Sequence, residues 1–431
     1  MMTETPIAAS PTPAVLATPA PQNHCRFCGT PLKHSFVDLG MSPPCQLHRK
    51  PEQMNEMEAF FPLHAYVCDH CFLVQIPNYV APDNIFTNEY AYYSSFSDSW
   101  LAHAKRYTDL MVDRFGLNSN SQVVELASND GYLLQYFLEK GIPVLGIEPS
   151  GNVAEAAMQK GIDTVVKFFG RDTAREQTAL GKQADLLLGN NVLAHVPDIN
   201  DFVGGMKILL KPNGVITMEF PHLMRLMADN QFDTIYHEHY SYLSFIAVEQ
   251  VFAAHGLTLF DVEELPTHGG SLRIYARHTE DESKPVSDRA MELRDRELAA
   301  GFKQVETYSK FGEQVRETKR KVLEFLIQAK RDGKTIVGYG APGKGNTLLN
   351  YCGIRTDFID YTVDRNPFKQ GNFLPGSQIP IYAPEKIRET KPDYLFILPW
   401  NLKDEIMSQM AYIREWGGQF VVPIPEIKVY P

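Results

Sequence analysis

From Gln122 onward the chain alternates short apolar runs with amphipathic stretches, and this rhythm restricts the fold more than any other feature of the sequence. Val123–Ala127, Val144–Glu148, Asp185–Gly189 and Gly214–Phe220 read as buried strands. The stretches from about Gly131 to Lys140, Val153 to Lys160 and Phe202 to Leu210 read as helices between them. Parallel strands need long crossovers, and crossover helices cover the sheet on both faces. The expected class is therefore α/β, with ligands received at the carboxyl ends of the strands. At 431 residues the chain exceeds one such unit. We divide it into 1–22, a disordered Ala, Pro and Thr tail; 23–80, a small cysteine-bearing unit; 81–282, the α/β core; and 283–431, charged helices leading into a last α/β unit.

The end of the first strand reads Glu125-Leu-Ala-Ser128-Asn129-Asp130-Gly131, and Glu148 closes the next strand, 17 residues beyond Gly131. An acid at that place accepts hydrogen bonds from two ribose hydroxyls. Ala127 and Asn129 stand where a pyrophosphate-binding loop carries glycines. Carboxylates at Glu125 and Asp130 favour a cationic sulfonium over a pyrophosphate. The pattern resembles class I S-adenosylmethionine-dependent methyltransferases. That resemblance implies a Rossmann-like core with Glu125, Ser128, Asn129, Asp130, Gly131 and Glu148 at the cofactor, and Asn190 and Asn191 lining its adenine and methionine.

Cys25-x-x-Cys28 and Cys68-x-x-Cys71 are two knuckles with 39 residues between them. Each places two thiols on one tight turn, where both sulfurs can face a tetrahedral ion. A redox pair or four ordinary thiols are the alternatives, but neither pair opens a helix after a strand as redox motifs do. A closed four-sulfur shell leaves no position for water, so the expected Zn2+ is structural. Cys45 and Cys352 lack partners at ligand spacing.

Tyr236-His237-Glu238-His239-Tyr240-Ser241-Tyr242 follows the strand Gly214–Phe220, and its H-E-H spacing is not the H-E-x-x-H of a zinc protease. Together with Tyr90-x-Tyr92-Tyr93-Ser-Ser, His268-Gly-Gly-Ser-Leu-Arg273 and Tyr339-Gly-Ala-Pro-Gly-Lys344-Gly-Asn, it is similar to the three-domain sugar C-methyltransferases that act on C3 of nucleotide-linked 4-keto-deoxyhexoses. The resemblance covers residues 23–431. It implies a zinc-binding module, a methyltransferase core and a second Rossmann-like domain, with the sugar between domains. Under it His239 is the base that makes an enolate, and Tyr236, Tyr92 or a neutral His237 donates to the ketone oxygen. Glu238 orients a histidine or binds a sugar hydroxyl, and Arg273 and Lys344 bind the substrate's anionic part.

Gly338-x-Gly340-x-x-Gly343, with Asp364 about 20 residues on, also satisfies a dinucleotide fingerprint. This leaves an NAD-dependent nucleotide-sugar oxidoreductase as the alternative, and a non-catalytic zinc-ribbon adaptor behind it. A formal charge of −11 offers no general attraction to nucleic acid or anionic membrane, so a nucleotide diphosphate needs a local basic pocket. The composition and thiol usage fit a cytoplasmic protein, a monomer or weak homo-oligomer, with no secretory leader.

Overall fold

The computed structural model describes residues 23–80 and 93–431. The expected tail 1–22 and the expected donor Tyr92, with its neighbour Tyr90, lie outside the described residues. Near the N-terminus, β1 (His34–Ser42), β2 (Phe61–Val67) and β3 (Val74–Gln75) form an antiparallel sheet. Its fourth strand comes from far along the chain, because Val74 and Gln75 pair with Tyr242 and Ser241.

The central sheet contains β4 (Val123–Leu126), β5 (Val144–Ile147), β6 (Thr164–Val165), β7 (Ala184–Asn190) and β8 (Leu210–Pro221). After the two-residue β9 (Ser241–Tyr242), which leaves for the first sheet, the chain returns as β10 (Leu257–Leu265) and β11 (Ser271–His278). The order is β10-β11-β8-β7-β4-β5-β6, and β11 runs antiparallel to both its neighbours. The strand order reverses beside β4, so the crevice at its carboxyl end, facing β7, is where such a sheet receives a ligand. This is the expected Rossmann-like core. The expected boundaries move where the backbone turns left-handed: β4 ends at Leu126 because Ala127 has φ 54°, and the next helix begins at Leu134 because Asn129 and Gly131 stay in the loop at φ 49° and 73°. β8 begins at Leu210, earlier than the expected Gly214.

The last sheet adds β12 (Ile336–Tyr339), β13 (Thr362–Val363), β14 (Ile381–Tyr382), β15 (Tyr394–Ile397), β16 (Gln419–Val422) and β17 (Lys428–Tyr430), in the order β14-β13-β12-β15-β16-β17. Only β17 is antiparallel to its neighbour. Apolar burial does not follow the expected boundaries. Phe36, Leu63 and Val67 of the first sheet share one core with Ile336, Leu348 and Phe396 of the last. Cys25, Cys68 and Cys71 pack instead with Phe245 and Val248 beside the central sheet. The first sheet is thus wedged between the other two.

Candidate active site

At the carboxyl end of β4, left-handed residues alternate at Ala127, Asn129 and Gly131. The amides on either side of Asn129 are taken within the fold, Ala127 donating to the Ile147 carbonyl at 2.8 Å and Gly131 to the Ser128 carbonyl at 3.0 Å. The Asn129 amide donates to Glu148 Oε2 at 3.0 Å and the Ser150 amide to Oε1 at 2.9 Å, so Glu148 is fixed while keeping lone pairs for a ligand. Burial raises its pKa, and the two amide donors offset part of that rise. Asn129 Oδ1 accepts the Ser94 amide at 2.9 Å, tying the loop to the segment before the first core helix, Asp98–Phe115. Gly146 is required by closeness, since a Cβ there would lie 2.4 Å from Ser128 Oγ.

Ser128 Oγ, Asp130 Oδ1, both amide atoms of Asn190 and Asn191 Oδ1 are buried without a hydrogen-bond partner. Buried polar atoms are normally satisfied. Their convergence on one strand edge fits a polar, nucleoside-sized ligand, and S-adenosylmethionine is one. The charges differ from the expectation. Glu125 is fully buried, and burial holds its carboxyl well above the usual range despite a bond from Tyr132. Asp130 is paired with Lys160 at 3.4 Å and bonded by Ser95. Neither is a bare carboxylate facing a sulfonium.

His239 lies beyond the β7 edge, half-buried. Its Nδ1–H donates to the Thr234 carbonyl at 2.8 Å, which leaves the lone pair on Nε2. The ring packs on Tyr236 at 4.0 Å and edge-on to His195 at 4.6 Å. Burial above all, with His195 and Lys344 nearby, pushes the His239 pKa well below 6.5, so at neutral pH the imidazole is neutral and its Nε2 lone pair is not occupied by a proton. His195 went unnoticed in the sequence. It sits on a short turn, Leu193–His195, directly after Asn190 and Asn191, and burial lowers its pKa to about 4. His268 closes the same side: its Nε2 lies 3.4 Å from Asn191 Nδ2, and its ring stands edge-on to Trp100 at 5.2 Å.

Three expected roles are corrected. His237 is buried with Nε2–H on the Pro62 carbonyl at 3.1 Å and its ring against Phe61, so it faces β2 and is not a donor to the ketone. The Glu238 carboxyl lies 3.6 Å from Cys45 Sγ and is hydrogen-bonded to no histidine among the described residues, so of its two expected roles the orienting one falls; burial raises its pKa to about 7. Arg273, almost fully buried, is engaged by Glu219 at 2.8 Å and Glu263 at 2.8 Å, which removes it as an anion contact. β11 is buried from Ser271 to Arg277, and a motif that records only an arginine after glycines does not show this.

Cys25, Cys28, Cys68 and Cys71 come together with all four Sγ atoms within 4.8 Å of one another. Cys25–Cys71 and Cys28–Cys68 are each 3.5 Å apart. Four sulfurs at about 2.3 Å from a tetrahedral ion lie about 3.8 Å apart, so the donor set fits zinc. A family model described as "Putative zinc binding domain" matches residues 25–86, "Methyltransferase domain" matches 100–262, and "C-methyltransferase C-terminal domain" matches 266–425. The C-methyltransferase NovU of Streptomyces niveus is 36% identical over 95% of this chain and 97% of its own length.

The chain belongs to the C-methyltransferase family. It is an S-adenosylmethionine-dependent C-methyltransferase with a class I core. A ubiquinone biosynthesis O-methyltransferase of Rhodopseudomonas palustris is 28% identical over 23% of the chain and 40% of its own length. Among solved structures, the 1,6-didemethyltoxoflavin-N1-methyltransferase of Burkholderia thailandensis is 19% identical, covering 44% of this chain and 84% of that one at a TM-score of 0.32. In this C-methyltransferase the glycine-rich loop after β12 is closed by its own chain. Asp364 Oδ2 accepts the Ala341 amide at 2.7 Å, and Lys369 Nζ donates to the Ala341 carbonyl at 2.9 Å. A Cβ on Gly343 would lie 2.8 Å from Cys45 Sγ, and one on Gly340 2.6 Å from Pro399. The glycines serve close packing, and Asp364 holds the loop with one amide on each carboxylate oxygen, Ala341 on Oδ2 and Asn366 on Oδ1. Among the described residues, no helix is long and apolar enough to cross a membrane.

Proposed function

We propose that this C-methyltransferase methylates C3 of a nucleotide-linked 4-keto-deoxyhexose through an enolate, with His239 as the base. The observation that carries the reading is the fixed tautomer of His239: Nδ1–H is held by Thr234, so a bare Nε2 is presented by an imidazole that burial keeps neutral. A base of this kind suits a carbon acid beside a ketone, whose proton becomes removable once the oxygen is held by donors. Tyr236, stacked on the base, supplies one phenol at the site. Glu148 takes the ribose hydroxyls, Ser128, Asn129, Gly131, Asn190 and Asn191 line the cofactor, and Lys344 contacts the sugar. When bound, S-adenosylmethionine supplies the electrophilic methyl group. The four cysteines hold a structural Zn2+, and a thiolate set of this kind belongs in a reducing compartment such as the cytoplasm.

The test is a panel of nucleotide-linked 4-keto-hexoses incubated with enzyme and S-adenosylmethionine and read by mass spectrometry. The expected product gains one methyl on the carbon beside the carbonyl. Methylation on oxygen, or none across the panel, would sink the reading.

A further inference from the structure

Lys344 lies in the first turn of the helix Gly343–Cys352, which follows β12 in the last sheet, yet its charge bears on His239 and His268 beside the central one. Its Nζ lies 4.7 Å from the centroid of the Trp400 ring and donates to Asn401 Oδ1 at 2.8 Å. Trp400 Nε1–H donates to the buried Asp233 at 2.7 Å. The same Trp400 ring packs on the turn after His268 so closely that a Cβ on Gly269 would lie 2.6 Å from it. The helix is also bonded to the base loop, since Thr347 Oγ1 donates to the Ile235 carbonyl at 3.0 Å. Base loop, glycine turn and helix thus converge around one ammonium.

We propose that Lys344 is a catalytic residue whose ammonium donates to the ketone oxygen and holds the negative charge that forms there when His239 takes the neighbouring proton. This rests on the keto-sugar reading above. In the step, the C3–H bond breaks and its proton passes to His239 Nε2. The bonding pair becomes the C3–C4 double bond, and the carbonyl π pair moves onto the oxygen that Lys344 faces. Three features favour this role over a diphosphate contact. Arg273 is engaged by two carboxylates and Lys369 by the glycine-rich loop, so Lys344 is not part of a basic cluster. Asp233 would repel a doubly charged phosphate group more than a singly charged enolate. The groups around His239 are His195, His268, Tyr236, Tyr242 and Lys344, and of these only Lys344 is an ammonium; burial lowers its pKa, Asp233 favours its charged form, and an anion forming beside the base would favour it further.

Lys344→Met decides the matter through two measurements. The first is deuterium uptake from solvent at the carbon beside the ketone, with S-adenosylhomocysteine bound so that no methyl moves. We expect uptake to fall about 100-fold or more, the scale for losing one oxyanion donor, with KM for the sugar changed less than about threefold. Uptake at the wild-type rate, or a tenfold rise in KM with kcat kept, overturns the proposal and gives Lys344 to the diphosphate. The second is NMR titration of the His239 imidazole without substrate, where removing the charge should raise its midpoint. An unmoved midpoint also overturns the proposal. Retained S-adenosylhomocysteine binding shows that the variant is folded. If the wild type takes up no deuterium in any sugar of the panel, the substrate reading fails, while the titration still judges the placement of Lys344.

Discussion

Glu238→Gln should abolish a specific loss of stability between acid and neutral pH. The carboxyl is 4% exposed, and burial raises its pKa from 4.5 to about 7, although the Cys45 thiol and Lys369 favour its ionised form. A folded pKa above the unfolded one means that the group stabilises the fold, relative to its ionised state, below pH 4.5 and loses that contribution as pH rises through 7. The size of the loss is about 3 kcal/mol, at ~1.4 kcal/mol for each tenfold change in proton affinity. Gln is isosteric with the protonated acid and cannot ionise. Since a chain of several packed units does not unfold in two states, the comparison is the melting temperature of both proteins at pH 5 and pH 8. For a chain this long 1 kcal/mol moves Tm by about 1 °C. The gap between variant and wild type should therefore widen by about 3 °C in favour of the variant at pH 8. Parallel curves would show that Glu238 ionises freely and that the contact of its carboxyl with β1-side Cys45 does not exclude water.

His239→Asn should leave cofactor binding intact and lower solvent exchange beside the ketone by about 100-fold or more; exchange at the wild-type rate would place the base elsewhere. In the wild type, the acid limb of kcat/KM should lie well below pH 6.5, because burial and neighbouring groups depress the His239 pKa. Glu148→Ala should weaken S-adenosylmethionine binding about tenfold or more, since ribose acceptors go and two buried amides lose their partner; calorimetry showing unchanged affinity would remove the ribose role. Metal analysis should find about one zinc per chain, lost in Cys68→Ser together with solubility; a metal-free wild type of full activity would refute the zinc assignment.

The strand and helix rhythm after Gln122 was legible because alternating burial leaves a period in the sequence, and the paired cysteines because metal thiolates must share a turn. The polar loop proposed for the cofactor was visible for the same local reason: Ser128, Asn129 and Asp130 follow one strand within a few residues. What escaped was contact between distant segments. His195 and Asp233 lie in stretches with no motif, and they matter only because folding sets them beside His239 and Trp400. Arg273 and His237 misled in the opposite way, as both have site-like chemistry and both are satisfied by remote partners, Glu219 with Glu263 and the Pro62 carbonyl.

By itself the sequence determined the α/β class, the clustering of the four cysteines and the Tyr236–Tyr242 run in which the proposed base lies, since each is written in spacing along one stretch of chain. Only the tertiary structure decided which titratable groups remain available. A charge is kept or consumed by what folds against it, and that depends on the Ser241–Tyr242 strand joining the first sheet, on Lys344 of the last domain standing near enough for its charge to bear on His239, and on burial that holds those imidazoles neutral.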